Sequence, residues 1–185
     1  MIYEKFSDIK TAVAGCSGCA YAVTRKNTVF GEGSLHAKVM FVGEGPGAVE
    51  DETGRPFVGP AGQLLTKMIE AIGLTRNDVY IANIVKCRPP HNADPLPEYA
   101  ECCLPFLRAQ VAFIRPRLIV CLGKVPTRFL LHEEGSMGAL HGRMITKGSF
   151  TFMPTYHPSA LLHNEDLKRP AWEDFKKIRS FINDD

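Results

Sequence analysis

No run in this 185-residue chain comes near the ~20 consecutive apolar residues that a bilayer span requires, so a membrane-spanning helix is excluded. The opening residues Met1-Ile2-Tyr3-Glu4-Lys5-Phe6 offer neither an apolar core nor a small-residue cleavage site, so no secretory signal is expected and a cytoplasmic location is. An excess of either charge is lacking too, since 22 Lys and Arg against 20 Asp and Glu leave a net charge of +2. That balance alone leaves a nucleic-acid partner open, because non-specific binding depends on clustered Lys and Arg rather than on the total. Repeats, low-complexity segments and linker-like stretches are also missing. With 45% hydrophobic and 23% charged residues, the chain can bury one good core but is short for two. Residues 1–185 are therefore expected to form a single domain.

After a short amphipathic start around Ile9 and Val13, apolar runs alternate with helix-period segments. Val39-Met40-Phe41-Val42 reads as a buried strand ending in a glycine-rich loop. Leu64, Leu65, Met68, Ile69 and Ile72 share one face of a helix that Pro60 opens and Gly73 closes. A second strand is expected over 79–85, then a helix marked by Tyr99, Cys103, Phe106, Leu107 and Val111, kinked at Pro105. Leu118-Ile119-Val120-Cys121-Leu122 is a third strand, with Gly123 starting another helix. The segments around Met144-Ile145 and Phe150-Thr151-Phe152-Met153 read as short edge strands, and Trp172, Phe175, Ile178 and Ile182 as the stripe of a last helix opened by Pro170. Strands alternating with helices predict a three-layer α/β/α fold around a mostly parallel sheet. Its site should lie at the carboxyl ends of the strands.

Six cysteines in a reducing compartment are better read as ligands, reactive groups or core residues than as disulfides. Cys16-Ser17-Gly18-Cys19 places two thiolates within reach of one centre, and Cys87 with one of Cys102 and Cys103 completes a four-sulfur set. Zinc and an iron–sulfur cluster both suit that set, and a redox pair with small core residues is the plainer alternative. Cys121, inside an apolar strand, reads as core. The loop Gly43-Glu44-Gly45-Pro46-Gly47, followed by Glu50 and Asp51, combines glycines that admit a ligand edge with carboxylates that repel a pyrophosphate. A base or carbonyl suits it better, with Glu44 or Glu50 able to orient a water; an ordinary strand-to-helix turn is the alternative. Phe57 sits in a Gly/Pro-bounded loop where it can stack on a planar base or fill the core. Asn83, near a strand end, is a turn former or a reader of a base edge. His157 is a capped loop residue or a donor to an anionic leaving group. Only their coincidence points to function.

These strings together resemble a known family. Residues 43–47, Glu50-Asp51, Thr53-Gly54-Arg55-Pro56-Phe57-Val58-Gly59 and Ala61-Gly62 are similar in order and spacing to the thermophilic and bacterial family 4 uracil-DNA glycosylases. So are Asn83-Ile84-Val85-Lys86-Cys87-Arg88-Pro89-Pro90 and Thr155-Tyr156-His157-Pro158-Ser159, and the resemblance runs from Cys16 to the final helix. It implies a uracil-DNA glycosylase-like fold and a structural [4Fe–4S] cluster held by Cys16, Cys19, Cys87 and Cys103. The last is chosen over Cys102, a bystander, by the family's ligand spacing.

The same resemblance implies a monofunctional enzyme, working as a monomer, that hydrolyses the N-glycosidic bond of uracil in single- or double-stranded DNA and starts base-excision repair. Free uracil and an abasic site would be its products. Phe57 would stack on the flipped base, Asn83 would read its N3/O4 edge, Gly43, Glu44 and Gly45 would approach it, and His157 would donate to O2. Glu44, with Glu50 second, would position water. Lys86, Arg88, Lys124, Arg128 and Arg143 are candidates for phosphate contacts, and Leu161 and Leu162 for a wedge into the gap left by the base. The chain departs from the family pattern at His91-Asn92-Ala93, where Asn-Asn-Arg is usual, and at His141 and His163, where arginine is common. A non-catalytic iron–sulfur module binding uracil-containing or single-stranded DNA is the rival reading, and a zinc-dependent small-molecule hydrolase a third.

Overall fold

The computed structural model describes residues 2–184. In chain order the elements are α1 (Phe6–Ala14), α2 (Tyr21–Thr24), β1 (Glu32–Gly33), β2 (Val39–Gly43), α3 (Ala48–Thr53), α4 (Pro60–Ala71), β3 (Tyr80–Asn83), α5 (Pro97–Ile114), β4 (Leu118–Leu122), α6 (Lys124–Leu131), α7 (Met137–Leu140), β5 (Ile145–Lys147), β6 (Phe150–Thr155), α8 (Pro158–His163) and α9 (Lys168–Asn183). The strands form one sheet in the order β1-β3-β2-β4-β6-β5. Its four inner strands run parallel and the two outer ones antiparallel to their neighbours.

Both faces of the sheet are covered, which is why β2 and β4 read as unbroken apolar runs instead of alternating. Met40, Val42, Ile119 and Cys121 face one way, into a core completed by Leu104 and Leu107 of α5 and Val125 and Leu131 of α6. Val39, Phe41, Leu118 and Val120 face the other way, against Leu65 and Ile69 of α4 and Phe175 and Ile178 of α9. The rings of Phe41 and Phe175 stack at 5.8 Å across that second interface. Leu65 has no exposed surface, so truncating it to alanine would cost about 2–5 kcal/mol. Outside the sandwich, α1 lays Ile9 and Val13 against Phe30 and Phe106 of α5.

The three-layer α/β/α architecture expected from the sequence is the one observed, with corrections of detail. β6 is an interior strand between β4 and β5, and only β5 is an edge. The last helix starts before Pro170, and its buried stripe runs through Ala171, Asp174, Phe175, Ile178 and Ile182, leaving Trp172 39% exposed. As expected, Pro105 lies inside α5, where its missing N–H falls opposite the exposed Glu101. Four short elements had no sequence signal: the two-residue β1, the short helices α2 and α7, and α3, which the glycine loop conceals.

Candidate active site

The carboxyl ends of β2, β3, β4 and β6 lie on one edge of the sheet, and the loops leaving them enclose a cleft of about 460 Å³. Gly43 ends β2 directly beside Asn83, which ends β3. A Cβ on residue 43 would lie 2.5 Å from Oδ1 of Asn83 and 2.6 Å from Cε2 of Phe57, so only glycine lets the amide and the ring converge there. Asn83 is 1% exposed and its Oδ1 is buried with no hydrogen-bond partner. Leaving such an oxygen unpaired costs about 1–3 kcal/mol, a penalty that a bound donor would remove.

Phe57 is buried with φ of 49°, a left-handed conformation uncommon for an aromatic residue. Two charged side chains hold its loop in that shape. Arg76 donates to the carbonyls of Phe57 at 2.8 Å and Pro56 at 2.6 Å, while Oε1 of Glu50 accepts from the N–H groups of Val58 at 3.1 Å and Gly59 at 2.9 Å. The Phe57 ring lies 5.7 Å from the His157 imidazole, tilted by 35°. Behind β4, Gly123 has φ of 91°, and its absent Cβ would stand 3.0 Å from Cβ of His157. His157 caps α8: its Nδ1 accepts the Ser159 backbone N–H at 3.1 Å and lies 2.7 Å from the Ser159 hydroxyl. Because that N–H can only donate, Nδ1 carries the lone pair and the neutral ring bears its proton on Nε2. Burial pushes the imidazole pKa down to about 4 against the pull of Glu50, so the ring is neutral at pH 7. Glu44 also lines the cleft. Burial, then the charge and hydrogen bond of nearby Asp94, push its carboxyl up to about 7, with Arg128 opposing.

A second cluster lies beneath α5. Cys16, Cys19, Cys87, Cys102 and Cys103 line one small cavity together with Gly18, Arg25 and Lys86. N–H groups already point at three of the sulfurs: Gly18 at Cys16 (3.4 Å), Arg25 at Cys87 (3.3 Å) and Lys86 at Cys103 (3.3 Å). Among the described residues no group of three His, Cys, Asp or Glu is set for a single metal ion, and the thiols surround a cavity instead.

The uracil DNA glycosylase superfamily model matches residues 30–176. The type-4 uracil-DNA glycosylase of Thermotoga maritima is 44% identical over 183 residues, covering 97% of this chain and 95% of that protein. Pyrobaculum aerophilum offers a comparison within one organism. Its type-4 enzyme is 43% identical over 164 residues, covering 84% of each chain, whereas its type-5 enzyme is 32% identical over 189 residues, covering 84% of this chain and 83% of its own. The chain belongs to the type-4 uracil-DNA glycosylase family.

Within that type-4 frame the structure brings Gly43, Glu44, Gly45, Glu50, Phe57, Asn83 and His157 to one cleft; of these, all but Gly43 line its wall and Gly43 lies beneath them. The basic residues divide. Lys86 is 1% exposed, its Nζ donating to the Asn83 carbonyl at 3.1 Å and to Gln110 at 2.7 Å, so it cannot meet a phosphate; burial pushes its pKa down to about 8. Lys124 lines the cleft, Arg128 lies over the Phe129 ring, and Arg88 bonds Asn92 on the surface, where Arg143 also stands. Leu161 is core at 1% exposure, which leaves Leu162, at 47%, as the one of the pair that can wedge. At one of the departures from the type-4 pattern, His141 holds the buried Asp174 at 2.9 Å, and Asp174 in turn accepts from Thr155 at 2.6 Å. Sequence reasoning missed Asp94 and Arg76. Nothing in the local pattern marked either one, since both act on loops distant in the chain.

Proposed function

We propose that this chain, acting as one domain and as a monomer, is a uracil-DNA glycosylase that hydrolyses the bond between uracil and deoxyribose in single- or double-stranded DNA. Free uracil leaves and an abasic site enters base-excision repair. The observation that carries this reading is the unpartnered Oδ1 of Asn83, buried at the foot of a cleft between an aromatic ring and a neutral imidazole. Type-4 relatives named for the same activity support it.

Uracil inside a duplex is out of reach, so the nucleotide turns outward into the cleft, at least cost where the pair is mismatched. Phe57 stacks on the ring, and backbone groups of Glu44 and Gly45 approach its edge. The orphan Oδ1 of Asn83 accepts the uracil N3–H and the amide nitrogen donates to O4. Cytosine presents a lone pair at N3 and donors at N4, which leaves both ends of the amide unpaired and the base excluded. Cleavage is dissociative, building positive charge on the sugar and negative charge on uracil. The Nε2–H of His157 donates to O2 and stabilises the uracil anion without itself needing to be charged. Glu44 as carboxylate orients water on the sugar and favours its cationic character. Glu50, whose Oε1 takes the Val58 and Gly59 N–H groups, serves the reaction by holding Phe57 in place.

The all-cysteine donor set and the N–H groups aimed at its sulfurs fit a [4Fe–4S] cluster, which Cys16, Cys19, Cys87 and Cys103 would hold. When bound, it supplies a structural clamp between the N-terminal loop and the segment from β3 to α5. The test is a uracil-containing oligonucleotide, treated with alkali after incubation with wild type, Asn83→Ala or His157→Ala. Strand breaks with wild type that shrink in both variants support the enzyme. DNA binding without breaks would establish the non-catalytic module instead.

A further inference from the structure

Five thiols line a cavity whose proposed occupant needs four. Cys102 and Cys103 are neighbours on α5, where successive side chains point about 100° apart, yet both border the same space. Cys103 is the inner of the two, with Lys86 N–H donating to its sulfur at 3.3 Å. Cys102 stands on the solvent rim, exposed, its thiol donating to the Gly18 carbonyl at 3.3 Å. The Cys102 and Cys16 sulfurs lie 2.9 and 3.6 Å from the single point that a Cβ of Gly18 would occupy. The fifth sulfur is therefore lodged on the very loop that joins the first two ligands.

We propose that Cys102 is a reserve ligand of the cluster, taking over the iron that Cys103 holds whenever the Cys103 bond opens. The exchange balances without an oxidant: one iron–sulfur bond breaks and one forms, the Cys102 thiol gives up its proton, and the departing Cys103 thiolate takes one. The Gly18 carbonyl holds the waiting thiol in place until then. Because α5 presents the two cysteines side by side, the exchange needs a shift of side chains and no rearrangement of the helix. The site would then survive transient opening that would otherwise release iron.

This inference rests on the cluster reading, so the first measurement is iron and acid-labile sulfide in freshly purified wild type; a protein without either would overturn the cluster itself. With wild type loaded, Cys102→Ser should start with the same iron and the same absorbance near ~400 nm. It should then lose them to a chelator about tenfold faster, a loss at the low end of what removing an outer partner costs a metal site. Equal rates of loss would overturn the reserve role while leaving the cluster intact. A Cys102→Ser protein that is empty from the start would make Cys102 the resident ligand and overturn the role equally. Thiol alkylation mapped by mass spectrometry adds an independent reading. Cys102 should be labelled in loaded wild type and protected in loaded Cys103→Ser, and labelling in both would refute the exchange.

Discussion

Replacing Gly43 by alanine adds one methyl group at the point where the cleft is assembled. The new Cβ would stand 2.5 Å from Asn83 Oδ1 and 2.6 Å from Phe57 Cε2, against an ordinary contact of 3.4–4 Å. The amide, the ring or both must therefore withdraw by about 1 Å, a displacement that typically costs catalysis about 100-fold. Overpacking of this kind also destabilises by about 1–3 kcal/mol, which lowers the melting temperature by roughly 2–12 °C in a chain of this size. The two effects separate readily: the single-turnover rate of uracil release is measured well below the melting temperature, with circular dichroism to verify folding. A folded Gly43→Ala protein that released uracil at the wild-type rate would refute the claim that Phe57 and Asn83 converge on the base.

Other perturbations follow from the same geometry. If Glu44 acts as a carboxylate, as proposed, then because burial and Asp94 push its pKa up to about 7, activity should fall as pH drops through about 7, and Asp94→Asn should move that limb to lower pH in a kcat/KM profile. His157 should add no limb of its own near its ordinary value, because it is already neutral above about 4. Glu44→Gln should lower kcat about 100-fold with little change in binding of uracil-containing DNA, measured by fluorescence anisotropy. Lys86→Met removes the donor to Gln110 and to the Asn83 carbonyl, and an orphaned Gln110 oxygen should cost about 1–3 kcal/mol in thermal melts. Stripping the proposed cluster with a chelator should lower the melting temperature and expose the 16–25 segment to proteolysis, read as new cleavage sites in that loop.

How much of this was legible in the sequence depends on distance along the chain. β2, β4 and α4 announced themselves through local periodicity, and the strand–loop–helix alternation carried the layer order because parallel strands need crossovers. β6 was misread as an edge because its short apolar run says nothing about the partners on its two sides. At the site, Gly43, Phe57, Asn83 and His157 could be picked out because each lies in a motif. The role of Glu50 could not, since its carboxylate closes on N–H groups eight and nine residues further on. Lys86 was offered to phosphate for its charge and its place near a strand end, and only tertiary packing reveals its bond to Gln110. Asp94 and Arg76 belong to the same class: their effects on Glu44 and Phe57 arise between segments that meet only in the folded chain.

The most direct test of one cleft that reads and releases uracil is to count the product. An oligonucleotide carrying a single deoxyuridine is incubated with the protein, and free base is quantified by mass spectrometry beside a deoxycytidine control. One uracil released per deoxyuridine consumed, no cytosine from the control, and a sharply slower release by Asn83→Ala are the expected results. Tight binding of the deoxyuridine strand with every base still attached would contradict the account.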